Sequence, residues 1–103
     1  MQMLHALAEL EGELKMLRLW SVQAPGAIQM ASVQPFCIDT MSFEQWLQWI
    51  FIPRMKSMAK QGLTTLGPCQ ISPMGEQSFL HLGRRNADLL RILARIDRLA
   101  AAD

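Results

Sequence analysis

The chain has 103 residues, of which 50% are hydrophobic and 18% charged, and its formal net charge is +1. That length and apolar content suffice for one domain around a single buried core, and they exclude a disordered chain. Near-neutral charge gives no global attraction to nucleic acid, anionic membrane or acidic substrate, so such a partner would have to be met by a local patch.

Residues 2–19, QMLHALAELEGELKMLRL, place Met3, Leu7, Leu10, Leu14 and Leu17 at alternating intervals of four and three. This is the stripe of a bundle helix. Glu9, Glu11, Glu13 and Lys15 occupy its other faces, and Gly12 weakens it mildly. Periodicity vanishes between Trp20 and Met41, where Pro25, Gly26 and Pro35 punctuate the chain. A connection this long in a compact domain is either functional or pinned to the surface. Trp20, Ile28, Phe36 and Ile38 are the expected anchors.

A second helix is predicted from about Ser42 to Gln61. Ser42 serves as N-cap with Gln45 completing a capping box, Met41 is placed to staple against Trp46, and Gly62 stops the helix. Pro53 falls inside it, removes one hydrogen bond to the Trp49 carbonyl, and predicts a bend. At about 100° per residue, Phe43, Leu47, Ile50, Arg54 and Met58 share one face. Glu44, Gln45, Gln48 and Lys56 lie broadly opposite, and Trp46, Trp49 and Pro53 flank the core face. Arg54 is therefore expected in the middle of an apolar stripe, unless the bend at Pro53 turns it away. A buried guanidinium needs a partner, because stranding a buried charge costs about 3–5 kcal/mol. Asp39 is the preferred partner, with Glu9, Glu13 and Asp97 as alternatives; the sharper reading has Arg54 meeting phosphate or a partner protein.

The loop GLTTLGPCQIS follows, after which Ser72 and Pro73 read as an N-cap and a first helical position. The short helix begun there is expected to end at Gly83. A final helix, about Asn86 to Ala101, carries Leu89, Leu93, Ile96 and Ala100 at heptad-like spacing beside Leu90, Ile92 and Leu99. No stretch alternates with period two for long enough to form a strand. The expected fold is a single all-α domain over residues 1–103: a four-helix bundle with long loops between helices one and two and between helices two and three.

Cys37 and Cys69 share no CxxC spacing, and His5 and His81 stand apart from them. Structural metal sites gather their ligands in pairs, so no metal or other cofactor is expected, and both thiols read as reduced and partly buried. No apolar run approaches the roughly 18–20 residues that span a bilayer, and no basic stretch leads into one, so the expected location is cytoplasmic. There is no glycine-rich phosphate loop, HExxH or GxSxG motif. No residue is expected to be catalytic, and an independent enzyme is not expected.

Residues 32–55, SVQPFCIDTMSFEQWLQWIFIPRM, resemble the signature of the YqcC-like family of small bacterial proteins. Pro35, Phe36, Asp39, Thr40, Met41, Trp46, Leu47, Gln48, Trp49, Ile52, Pro53, Arg54 and Met55 carry the match. Phe43 stands where that family often has proline, and Ser42 remains a suitable cap. The resemblance implies a four-helix bundle, in agreement with the periodicity. It also implies an accessory role in tRNA modification, because genes of the family often sit beside that of a tRNA pseudouridine synthase.

Pro35, Phe36, Asp39, Thr40, Met41, Trp46, Trp49, Pro53 and Arg54 form the candidate site, either structural or for interaction. Trp46 and Trp49 are core or loop-covering residues whose indole N–H groups need acceptors. Left exposed, they would instead be an interface hot spot or a base-stacking platform. Asp39 and Thr40 either order the turn before the helix or supply a functional carboxylate. Arg84, Arg91, Arg95 and Arg98 fall near one side with Arg85 adjacent, diluted by Asp88 and Asp97. They read as solvated charge or as a weak RNA-facing patch that works only alongside a partner. Eight methionines fill irregular cores and also suit adaptable binding surfaces.

The expected function is that of an accessory factor docking through loop 32–41 and the following helix. Its expected partner is a protein, with a pseudouridine synthase implied by the resemblance, tRNA met indirectly and no membrane. Two alternatives stand beside it. One is a small-molecule pocket opened by the Pro53 bend next to Trp46, Trp49 and Arg54; the other is a structural homodimer.

Overall fold

The leucine stripe near the start of the chain builds α1, Gln2–Met16, which buries Met3, Ala6, Leu7, Leu10 and Leu14. A computed structural model describes residues 2–37, 39–62 and 70–101, and among these all regular structure is helical. α1 stops at Met16 rather than running on to Leu19. The Leu19 amide donates to the Leu14 carbonyl at 2.8 Å and the Arg18 amide to the Lys15 carbonyl at 3.1 Å, a Schellman-type ending. Arg18 takes the left-handed position, with φ 62°, that glycine usually fills.

The connection that follows contains one short helix, α2, Ala27–Met30, which buries no side chain. A 3-10 turn, Pro35–Cys37, comes next, with Phe36 and Cys37 at φ 57° and 51°. Phe36 packs against the core and Trp20 is half-buried, with Lys15 Nζ 5.2 Å from its ring centre. Ile28 does not anchor anything: it is 89% exposed. Ile38 and Cys69 lie outside the described residues.

The predicted second helix is three segments in line: α3, Phe43–Trp46; a π-helical turn, Leu47–Phe51; and α4, Ile52–Lys60. Its start matches expectation. The Gln45 amide donates to Ser42 Oγ at 3.4 Å and the Ser42 amide to Gln45 Oε1 at 3.0 Å.

The start of the next helix differs. α5, Ile71–Ser78, begins one residue before Ser72, which does not cap it. Asp97 does so from the last helix: Oδ1 accepts from the Ile71 amide at 2.9 Å and Oδ2 from the Ser72 amide at 2.8 Å. A 3-10 segment, Leu80–Asn86, carries the chain through Gly83 at φ 58° into α6, Ala87–Ala101.

α6 sits between α1 and α5, and α1 also packs on α4. Leu7, Leu10, Leu14, Leu47, Ile71, Phe79, Leu89, Leu93 and Ile96 are fully buried in the shared core. Gly75 permits the close approach of α5 to α6, since a Cβ there would collide with Leu93 Cδ1. Among the described residues no helix is long and apolar enough to cross a membrane.

Candidate functional site

The matched segment is organised by a residue that helical counting places on the wrong face. Gln48 is buried, and its amide grips the backbone of the preceding connection. Gln48 Nε2 donates to the Ser21 carbonyl and Oε1 accepts from the Ser21 amide, both at 2.7 Å. The side-chain amide thus satisfies both groups of one residue, as a neighbouring strand would.

The π-turn explains how Gln48 arrives there. The Ile52 amide donates to the Leu47 carbonyl, five residues back, so the turn holds one more residue than an α-turn. The buried set consequently runs Phe43, Leu47, Gln48, Phe51, Ile52, Met55 and Ala59. Residues beyond the turn are rotated relative to the uniform α-helical wheel. Ile50 and Met58 become half-buried, and Arg54 becomes exposed. The expected burial of Arg54 is therefore incorrect, and so is its clasp to Asp39. No ion pair among the described residues involves Arg54. Pro53, also exposed, follows the π-turn directly within a continuous run of helical backbone, so its missing N–H falls where the α-helical ladder is already interrupted.

Asp39 faces its own loop. Its Oδ1 accepts from Ser32 Oγ at 2.5 Å. Thr40 Oγ1 donates to the Gln29 carbonyl at 2.7 Å, while Gln29 Nε2 donates back to the Thr40 carbonyl at 3.3 Å. Both residues order the connection. Pro35 opens the 3-10 turn, and Met41 is buried beside α3.

The aromatic residues form one cluster. The Phe36 ring meets Trp46 edge-on at 4.9 Å and Phe43 at 5.5 Å; Phe43 stacks on Trp46 at 5.7 Å and reaches Phe79 at 5.8 Å. Trp46 also lies 5.4 Å from Phe51. It is a core-covering residue rather than an open stacking platform. Trp49 is half-buried, and its Nε1 is a buried donor without an acceptor among the described residues.

The arginines do not form one stripe. Arg95 Nη1 pairs with Glu9 Oε1 at 2.7 Å, joining α6 to α1. Arg91 lies 3.7 Å from Asp88, and Arg84 belongs to the 3-10 segment rather than to α6. Arg84, Arg85, Arg91 and Arg98 are exposed. On α1, the hydrogen bond from Lys15 holds the Glu11 carboxyl below its ordinary range, helped by the charges of Lys15 and Lys56. Burial raises that of Glu13, reinforced by Asp88 and opposed by Arg91.

An open cavity of about 280 Å³ lies between the 3-10 turn and α5, lined by Phe36, Gln70, Pro73, Met74 and Gln77. It is distinct from the pocket expected around Trp46, Trp49 and Arg54.

Sequence reasoning missed Gln48 and the capping role of Asp97. Gln48 lay within the matched motif, and that was the available signal. Asp97 offered none, because its partners are 25 and 26 residues away.

Fold and site together define a small all-helical domain whose shared motif clamps a long connection against the helix formed by α3, the π-turn and α4. The DUF446 family model, described as tRNA pseudouridine synthase C, matches residues 2–99, and the chain belongs to this YqcC-like family. The uncharacterized protein YqcC of Escherichia coli is 33% identical over 97 residues, covering 94% of this chain and 89% of that protein. An uncharacterized protein of Haemophilus influenzae is 42% identical over 73 residues, covering 71% and 69% respectively. The solution NMR structure of Escherichia coli YqcC superimposes with a TM-score of 0.86 at 31% identity, over 99% of this chain and 87% of that one. A tRNA pseudouridine synthase C of Pectobacterium carotovorum is 39% identical over 57 residues, which cover 55% of this chain but 15% of that protein.

Proposed function

We propose that this protein is an accessory domain of a tRNA pseudouridine synthase, holding no active site of its own. One observation carries the proposal: a segment similar to 57 residues of this chain occupies 15% of the Pectobacterium tRNA pseudouridine synthase C. A segment within a synthase chain is held beside the rest of that enzyme at high effective concentration. A separate chain of the same family would reach the same neighbour by docking. The description of the family model points the same way.

In this proposal the four helical rods act as a bundle-like scaffold. Exposed Arg54, Arg84, Arg91 and Arg98 meet tRNA phosphates only when the synthase has already positioned the RNA. A few dispersed cations are too weak a source of counterion release to capture tRNA alone.

The test removes this chain's gene, maps pseudouridine in total tRNA, and asks whether the tagged protein recovers the synthase. Reduced modification at the synthase's position together with copurification supports the proposal. Unchanged pseudouridine with no copurification refutes it.

A further inference from the structure

The cavity beside the 3-10 turn is walled by Phe36, Gln70, Pro73, Met74 and Gln77. Its volume of about 280 Å³ falls at the lower edge of the roughly 300–1,000 Å³ common for small-molecule sites. Among the described residues four that are not glycine take a left-handed backbone: Arg18, Phe36, Cys37 and Gln70. Two of them, Phe36 at φ 57° and Gln70 at φ 54°, come from distant parts of the chain and meet at this cavity. Strained backbone of this kind gathers at ligand clamps, where the surrounding structure holds it in place.

Both strained residues are held from behind. The Phe36 ring stands perpendicular to Phe43 and to Trp46, at 5.5 and 4.9 Å, and stays half-buried. Asp97 ties down the Ile71 and Ser72 amides, which directly follow Gln70. That contact also bears on the charge of an occupant. The first amides of α5 would favour an anion, but the Asp97 carboxylate already takes two of them and brings its own negative charge. No side chain of the wall is ionisable, so neither a phosphate nor a cation finds a counter-charge there.

The wall selects an uncharged ligand with two kinds of surface. Phe36, Pro73 and Met74 offer apolar contact, and the Met74 thioether suits an aromatic ring. Gln70 and Gln77, both exposed, each offer a carboxamide that donates and accepts. A flat neutral ring with donors and acceptors along its edge matches both sets at once. We propose that this cavity binds a neutral nucleobase, supplied as a free nucleoside or as an unstacked base of RNA. The apolar wall takes the ring and the two carboxamides read its edge. The site belongs to this chain alone and does not depend on the accessory role proposed above.

The test follows two-dimensional NMR spectra of the full chain during titration with uridine, adenosine and ribose 5-phosphate. A nucleoside shifts the resonances of Gln70, Met74 and Gln77 saturably, whereas ribose 5-phosphate, which lacks a base, does not. Gln77→Leu weakens nucleoside binding at least about threefold with an unchanged melting temperature. Gln70→Gly weakens it too, yet raises the melting temperature, because glycine accepts the left-handed backbone. A purely structural turn would gain that stability and lose no affinity. An unpaired oligouridylate that shifts the same residues at lower concentration than uridine assigns the base to RNA; an equal or weaker response assigns it to a free nucleoside. Absence of saturable shifts with both nucleosides overturns the inference, as does undiminished binding by either variant. The same shifts from N-acetylglycinamide assign the cavity to a peptide amide and overturn it as well.

Discussion

Gln48 and Arg54 exchange the places that uniform helical counting gives them, and both consequences are measurable. Gln48→Ala removes two hydrogen bonds and strips both Ser21 backbone groups of their partner. It should cost roughly 2–3 kcal/mol, read from urea unfolding. Arg54→Ala should change stability by no more than about 0.5 kcal/mol in the same assay, because the side chain is exposed. A loss near that of a stranded buried charge would contradict the rotated register. Arg18 offers a change in the favourable direction. Glycine at its left-handed position should raise stability by about 0.5–1 kcal/mol, seen as a higher denaturation midpoint. Neither inversion was legible, because one extra residue in a turn leaves no mark in a wheel drawn at constant pitch. Arg18 was obscure for a different reason: the helix ends there without a glycine to announce it.

Among the elements, those governed by local spacing were legible. Met3, Leu7, Leu10 and Leu14 of α1 and the Leu89, Leu93, Ile96 and Ala100 series of α6 are buried as their intervals require, while Leu17, beyond the end of α1, is half-buried. The Ser42 capping box was legible because both partners lie within one helical turn. α5 was not, since its cap comes from Asp97 on another helix. Asp97→Ala should cost about 1–2 kcal/mol, with the loss concentrated in amide protection at the start of α5.

Two carboxylates on α1 should respond to pH with opposite signs. Glu13 has a raised folded-state pKa, so the folded protein retains that proton longer than the unfolded chain. Its penalty is absent below the ordinary carboxylate pKa, grows as pH rises through the window up to the raised value, and persists above it. Glu13→Gln should therefore raise the melting temperature near neutral pH and have no such effect in strong acid. Glu11 is lowered, so its contribution is full above the ordinary carboxylate pKa and disappears as pH falls through the lowered one. Glu11→Gln should lower the melting temperature near neutrality, an effect that salt weakens because its partners are exposed lysines.

At the scale of the whole molecule, composition and periodicity sufficed for an all-helical domain because helix formation and core burial draw on the same residues. The matched motif also marked the right segment, though for another reason than the one its arginine suggested. Its aromatic residues close the core, and its glutamine and threonine hold a connection that buries little of its own. The course of that connection was illegible in the sequence. Few apolar anchors fix it, and its bonds join residues eleven and twenty-seven positions apart.

The Ser21–Gln48 pair ties the connection to the α3–α4 helix, although that helix contributes far more to the core, and we expect the two to open together. In hydrogen exchange, the Ser21 amide should be released with the core rather than with the surface. Weakening the glutamine would then loosen the exposed Val22, Ile28 and Val33 without altering any of them.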